Sequence, residues 1–124
     1  MARILVADDE EPIRSLVARA LRQDGHEVMT ANDGAEALDV LIREKGAFEL
    51  LLTDIRMPVM DGIALALAAA RDHPEVTILL MTGYADQRER ADGLEALIHD
   101  VITKPFSLGT IRAAVNGALG TGQR

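Results

Sequence analysis

The sequence has no cysteine, so disulfides and thiolate metal sites are excluded and an intracellular location fits. Aromatic side chains are nearly absent: Phe48, Phe106 and Tyr84 are the only three. The core must therefore be aliphatic, built from Leu, Ile, Val, Ala and Met. No apolar run approaches the ~20 residues that span a bilayer, so no membrane segment is expected. The N-terminus turns acidic by residue 8, so no secretory signal is expected. Basic charge is also short. Thirteen Lys and Arg face 20 Asp and Glu, for a formal charge of −7. The basic footprint of a nucleic-acid-binding face is missing, and no direct nucleic-acid contact by this chain is expected.

What is present is a chain of 124 residues, 48% hydrophobic. That length can bury one core without disulfides or a structural metal. A single domain over residues 1–120 is expected, with a flexible C-terminal tail at 121–124. "RILVA" (3–7) reads as a buried strand, and "DDEEP" stops it. Pro12 suits a first helical turn. Ile13, Leu16, Val17, Ala20 and Leu21 follow as one helical stripe. Strands are expected again at 26–30, 49–53, 76–81 and 100–104. Helices are expected after Asn32-Asp33-Gly34, with Leu38, Leu41 and Ile42 on the apolar side, and after Asp61-Gly62. Two more are expected at 86–97 and around Ile111, Val115, Ala118 and Leu119. Five apolar strands alternating with five helices imply an α/β fold with a parallel sheet covered on both faces.

The polar residues that follow the strands share one edge of such a sheet, the carboxyl edge where ligands bind. They are Asp8 and Asp9, Asp54, Thr82, and Lys104. Taken alone, Asp8 and Asp9 read as acids at the positive end of a helix. With Asp54 and Lys104 in register they read as a metal site. Crowded carboxylates repel by about 4 kcal/mol per pair at 4 Å and an effective dielectric near 20. A hard divalent cation relieves that, and Mg²⁺ takes one or two carboxylates plus phosphate oxygens. Thr82 can donate a hydroxyl hydrogen bond and Lys104 a compact positive charge. The set describes phosphoryl transfer, with Asp54 as nucleophile forming an acyl phosphate. Asp61 reads as a helix cap, and His26, His73 and His99 as surface or edge residues without metal spacing.

Four stretches in order, "LVADDE" (5–10), "LLTDIRMPVMDG" (51–62), "LLMTGYAD" (79–86) and "ITKPF" (102–106), resemble the receiver domain of two-component response regulators. The resemblance covers essentially the whole chain. It implies a flavodoxin-like doubly wound sheet in the order 2-1-3-4-5. It implies Asp54 as phosphoacceptor, from a histidine kinase or a histidine phosphotransfer protein. It implies Mg²⁺ held directly by Asp9 and Asp54, through water by Asp8, and by the backbone carbonyl of Arg56. Thr82 would move toward the phosphoryl group, Lys104 would pair with it, and the Lys104–Pro105 bond would be cis. The switch would act on a downstream protein target in the cytoplasm, as a monomer or a phosphorylation-dependent dimer, and not as an enzyme. The chain would be a stand-alone regulator or the receiver of a longer protein.

One departure stands out. The family's aromatic three residues before the lysine is Val101 here, which has no ring to swing and a stiff χ1. Arg56 sits where the family places side chains that tune phosphoryl lifetime, Tyr84 is placed to shield the site, and together they are expected to restrict the attacking water. Three other functions compete. A Mg²⁺-dependent aspartyl-phosphate phosphatase would need an acid near Asp54, where Arg56 stands instead. A flavin module would need stacking aromatics. A phosphorylation-independent adaptor would have no use for the full acid, threonine and lysine set. Arg88 and Arg90 suit a solvated helix face. The apolar third helix suits packing against the sheet.

Overall fold

The computed structural model describes residues 2–83, 91, 93, 94 and 96–120. Five strands, β1 (Arg3–Ala7), β2 (Glu27–Ala31), β3 (Leu50–Asp54), β4 (Thr77–Thr82) and β5 (Asp100–Thr103), form one sheet. All pairings are parallel and the order is β2-β1-β3-β4-β5, as expected. Four helices are described: α1 (Glu11–Gln23), α2 (Gly34–Arg43), α3 (Gly62–Asp72) and α4 (Leu108–Leu119). The helix expected at 86–97, with Arg88 and Arg90, falls largely outside the described residues, as do Tyr84 and the tail at 121–124.

Strand side chains alternate between two cores, because successive residues of a strand face opposite sides. Leu5, Leu51, Ile78 and Leu80 face α2 and α3, and pack with Val40, Leu41, Leu65 and Ala69. Ile4, Val6, Leu50, Leu52, Leu79, Met81 and Ile102 face α1 and α4, and pack with Val17, Leu21, Ile111 and Val115. This two-sided burial is why the strands read as unbroken apolar runs.

Several boundaries differ from the sequence reading. Asp54 and Thr82 are the last residues of their strands, not the residues beyond them. Asp54 stands opposite Met81, and Thr82 opposite Thr103. In each case the ladder continues because one neighbouring strand extends as far. Two stripe residues lie outside the core: Leu16 is 50% exposed and Ile42 is 61% exposed. His73 is half-buried rather than at the surface. It packs under the turn at Gly46, where an added Cβ would meet its Nδ1 at 2.5 Å.

Helix starts follow their caps. Asp33 accepts from the Glu36 amide, Asp61 from the Ala64 amide and Ser107 from the Thr110 amide. Asp61 is thus a cap, as the sequence suggested. At the far edge of the sheet Arg3 joins Glu27, Glu44 and the Ala47 carbonyl, and stacks on Phe48 at 4.7 Å.

The loop from β3 to α3 is tied down at both ends. The Gly62 amide donates to the Ile55 carbonyl at 2.7 Å, and the Gly34 amide to the Met60 carbonyl at 3.0 Å. Between them the Met60 amide donates to the Pro58 carbonyl at 2.7 Å, closing a three-residue turn around Val59 at φ 68°. This left-handed turn is rare and strained, most of all for a β-branched residue. Val59 is 86% exposed, so its side chain loses little contact if replaced. Val59→Asn is expected to stabilise the protein by about 1 kcal/mol, since asparagine tolerates φ above zero. An unchanged urea midpoint would contradict this.

Candidate phosphoacceptor site

The alternation that builds the cores also aims the site. Asp8 continues the row Ile4–Val6, Asp54 the row Leu50–Leu52, and Lys104 follows Ile102 two residues on. All three leave the sheet on the side of α1 and α4. Nζ of Lys104 lies 3.2 Å from Asp8 Oδ2 and 3.3 Å from Asp54 Oδ2. The Lys104 amide donates to the Thr82 carbonyl at 2.7 Å, which fixes the lysine's root to the end of β4. The peptide bond after it, Lys104–Pro105, is cis, as the resemblance implied.

Both acids are held by backbone as well. Asp8 Oδ1 accepts from the Glu10 amide at 2.9 Å, and Asp54 Oδ1 from the Ile55 amide at 3.0 Å. Asp8 has no exposed side-chain surface and Asp54 has 6%. Burial, the largest effect, pushes the Asp54 carboxyl up to about 6, although Lys104 pulls the other way, and Asp8 adds to the rise. Burial likewise raises Asp8. Burial alone would push Lys104 down, but Asp54 and Asp8 outweigh it and the ammonium is held more firmly. The lysine gains from several acids at once, while each acid receives only a share of one positive charge.

A third carboxylate completes the cluster. Asp8, Glu10 and Asp54 each place an oxygen within 4.8 Å of the others, and Glu10 Oε1 is 3.5 Å from Lys104 Nζ. Sequence reasoning missed Glu10, because "DDEEP" reads as a run of helix-start acids. Its parity with Asp8, two residues away, was the available signal. Asp9, expected to be a direct metal ligand, is exposed and lines the adjoining cavity rather than joining this triple. Arg56 is exposed and lines the same cavity. Thr82 is buried at the end of β4, in the row of Ile78 and Leu80.

The donor set suits a small hard cation. It is all oxygen, largely dry, and carries more negative charge than Lys104 compensates, and the dryness is what chiefly disfavours the Asp54 anion here. The cavity beside it measures about 920 Å³ and has an apolar wall that includes Ile13, Leu16, Met57, Pro105 and Phe106.

An acid-lined hollow with a central lysine, at the carboxyl edge of a 2-1-3-4-5 sheet, defines a flavodoxin-like domain built around a buried aspartate. The chain belongs to the response regulator receiver domain family, whose profile matches residues 4–116. It is 40% identical over 108 residues to the response regulator receiver protein CpdR of Brucella abortus, covering 87% of this chain and 88% of that one. It is 33% identical over 117 residues to the response regulator MprA of Mycobacterium leprae, covering 94% of this chain and 50% of the relative. The chain thus spans about half the length of several curated relatives that it matches. Among solved structures it resembles the response regulator TrrA of Thermotoga maritima in complex with Mg²⁺ and BeF, with a TM-score of 0.84 and 32% identity over 96% of this chain and all of that one. Among the described residues no helix is long and apolar enough to cross a membrane.

Proposed function

We propose that this domain is a phosphorylation switch in which Asp54 accepts a phosphoryl group from a histidine kinase or a histidine phosphotransfer protein. The observation that carries the proposal is a buried Asp54 carboxylate 3.3 Å from an ammonium that also holds Asp8. An Asp54 oxygen attacks phosphorus, the bond from phosphorus to the donor's imidazole nitrogen breaks, and the imidazole leaves with the electron pair. Lys104 stabilises the charge on the transferred group, and the buried Thr82 at the end of β4 donates its hydroxyl to it after a local movement. Mg²⁺, held by Asp8, Asp9, Asp54 and the Arg56 carbonyl with Glu10 adjacent, would neutralise charge on the phosphoryl oxygens. That TrrA was solved in complex with Mg²⁺ and BeF supports the choice of metal. Phosphorylation adds a charge of about −1.5 to −2 at the sheet edge, and the altered surface binds a downstream protein in the cytoplasm. In this proposal the domain does not turn over an external phosphoester.

The test is incubation with acetyl phosphate and Mg²⁺, read by intact mass. The wild type should gain one phosphoryl group and Asp54→Asn none. Phosphorylation that persists in the variant would remove Asp54 from its role, and steady release of phosphate from an external ester would revive the phosphatase alternative.

The apolar wall beside the acceptor suits a protein donor. Leu16→Glu places a charge on that wall, away from the reacting atoms. It is expected to slow transfer from the cognate kinase about tenfold or more, the scale of one interface anchor. Phosphorylation by acetyl phosphate should stay within about twofold. Equal loss with both donors would mean damage to the site rather than to docking.

A further inference from the structure

We infer that Glu10 is a positioning residue for Lys104: it holds the ammonium in the resting site and releases it to the arriving phosphoryl group. The inference rests on the phosphoacceptor proposal above.

An ammonium has three N–H donors. Nζ of Lys104 has three carboxylate neighbours, Asp8 Oδ2 at 3.2 Å, Asp54 Oδ2 at 3.3 Å and Glu10 Oε1 at 3.5 Å. These neighbours differ in freedom. The side chain of Asp8 is 0% exposed and that of Asp54 6%, whereas that of Glu10 is 58% exposed. A buried carboxylate that loses its cation is left uncompensated in a dry environment. An exposed one is taken up by water. Glu10 also makes the longest of the three contacts. A phosphoryl group on Asp54 inherits the N–H that Asp54 Oδ2 accepted, since the phosphorylated carboxyl no longer carries the charge, and a second N–H comes from exposed Glu10 rather than from buried Asp8.

The backbone explains why Glu10 is available for this role. It is the N-cap residue of α1, yet its side chain makes no capping hydrogen bond. Short side chains cap best, and glutamate is not among them. The Glu10 amide is held by Asp8 Oδ1 at 2.9 Å, and its carbonyl accepts from the Arg14 amide at 2.9 Å. The main chain is pinned on both sides, while the carboxylate reaches back over the site instead of serving the helix.

The experiment is calorimetric titration with beryllofluoride at saturating Mg²⁺, for wild type, Glu10→Gln and Glu10→Asp. Both variants are expected to bind the phosphoryl mimic about two- to fivefold more tightly, the scale of one partly exposed ion pair. Glu10→Asp keeps the charge but is one methylene too short to sustain the contact. If it matches wild type while Glu10→Gln binds more tightly, simple charge repulsion is at work and the inference falls. Equal or weaker binding by Glu10→Gln also overturns it. A wild type that binds no beryllofluoride at all would instead sink the phosphoacceptor proposal itself.

Discussion

Gly62→Ala is expected to destabilise the fold by about 3 kcal/mol or more, seen as a large drop in the urea midpoint. Gly62 opens α3 in an ordinary helical conformation, so backbone freedom is not the reason. Space is. A Cβ at this position would sit 2.0 Å from the carbonyl oxygen of Asp54 and 2.9 Å from its carbonyl carbon and from Ile55 Cα. These are backbone atoms and cannot rotate aside. Relief requires moving the start of α3 away from β3, which breaks the 2.7 Å bond from the Gly62 amide to the Ile55 carbonyl. It also loosens Leu65 and Ala66, both fully buried. Overpacking into rigid surroundings costs about 1–3 kcal/mol, and a contact with main chain belongs at or above the top of that range. A loss below about 1 kcal/mol would show that the loop yields far more readily than its hydrogen bonds suggest.

Asp54→Asn should do the opposite to stability while abolishing phosphoryl acceptance. The Asp54 carboxyl is raised from 3.8 to about 6, chiefly by burial. The folded protein therefore holds this proton more tightly than the unfolded chain. That contribution is fully present below about pH 4 and is lost as the pH rises through about 6. Above that window the buried anion destabilises the native state by about 3 kcal/mol. Asparagine has similar size and no charge. The variant should be more stable than wild type by about 2–3 kcal/mol at pH 7.5 without Mg²⁺, and the gap should close toward pH 4. Added Mg²⁺ should narrow it at neutral pH by stabilising wild type preferentially. A gap independent of pH would mean that the anion is not what destabilises the site.

Much of this arrangement was legible because the strands are unbroken apolar runs that end at polar residues and the helices carry apolar stripes. The turn residues Asp33 and Asp61 marked helix starts. Asp8, Asp54 and Lys104 could be found because each interrupts or ends an apolar row. The misses have equally local causes. Leu16 and Ile42 sit on helical stripes wider than the surface their helices bury, and a stripe does not reveal where its contact stops. Glu10 was hidden in an acidic run whose bland explanation, a helix start, is also correct. The strand ends slipped by one residue at Asp54 and Thr82, because a polar side chain does not stop a ladder while one neighbour continues.

The parity of the strands carries one more implication. Charge delivered to Asp54 enters the layer between the sheet and the helices α1 and α4. Thr82 belongs to the opposite row, and Val101, opposite Leu80, packs against the other core. In the proposed switch, information written in one layer would be read in the next, across the wall of the β4 main chain. With a short branched side chain on the reading side, that wall itself would have to move for the message to pass.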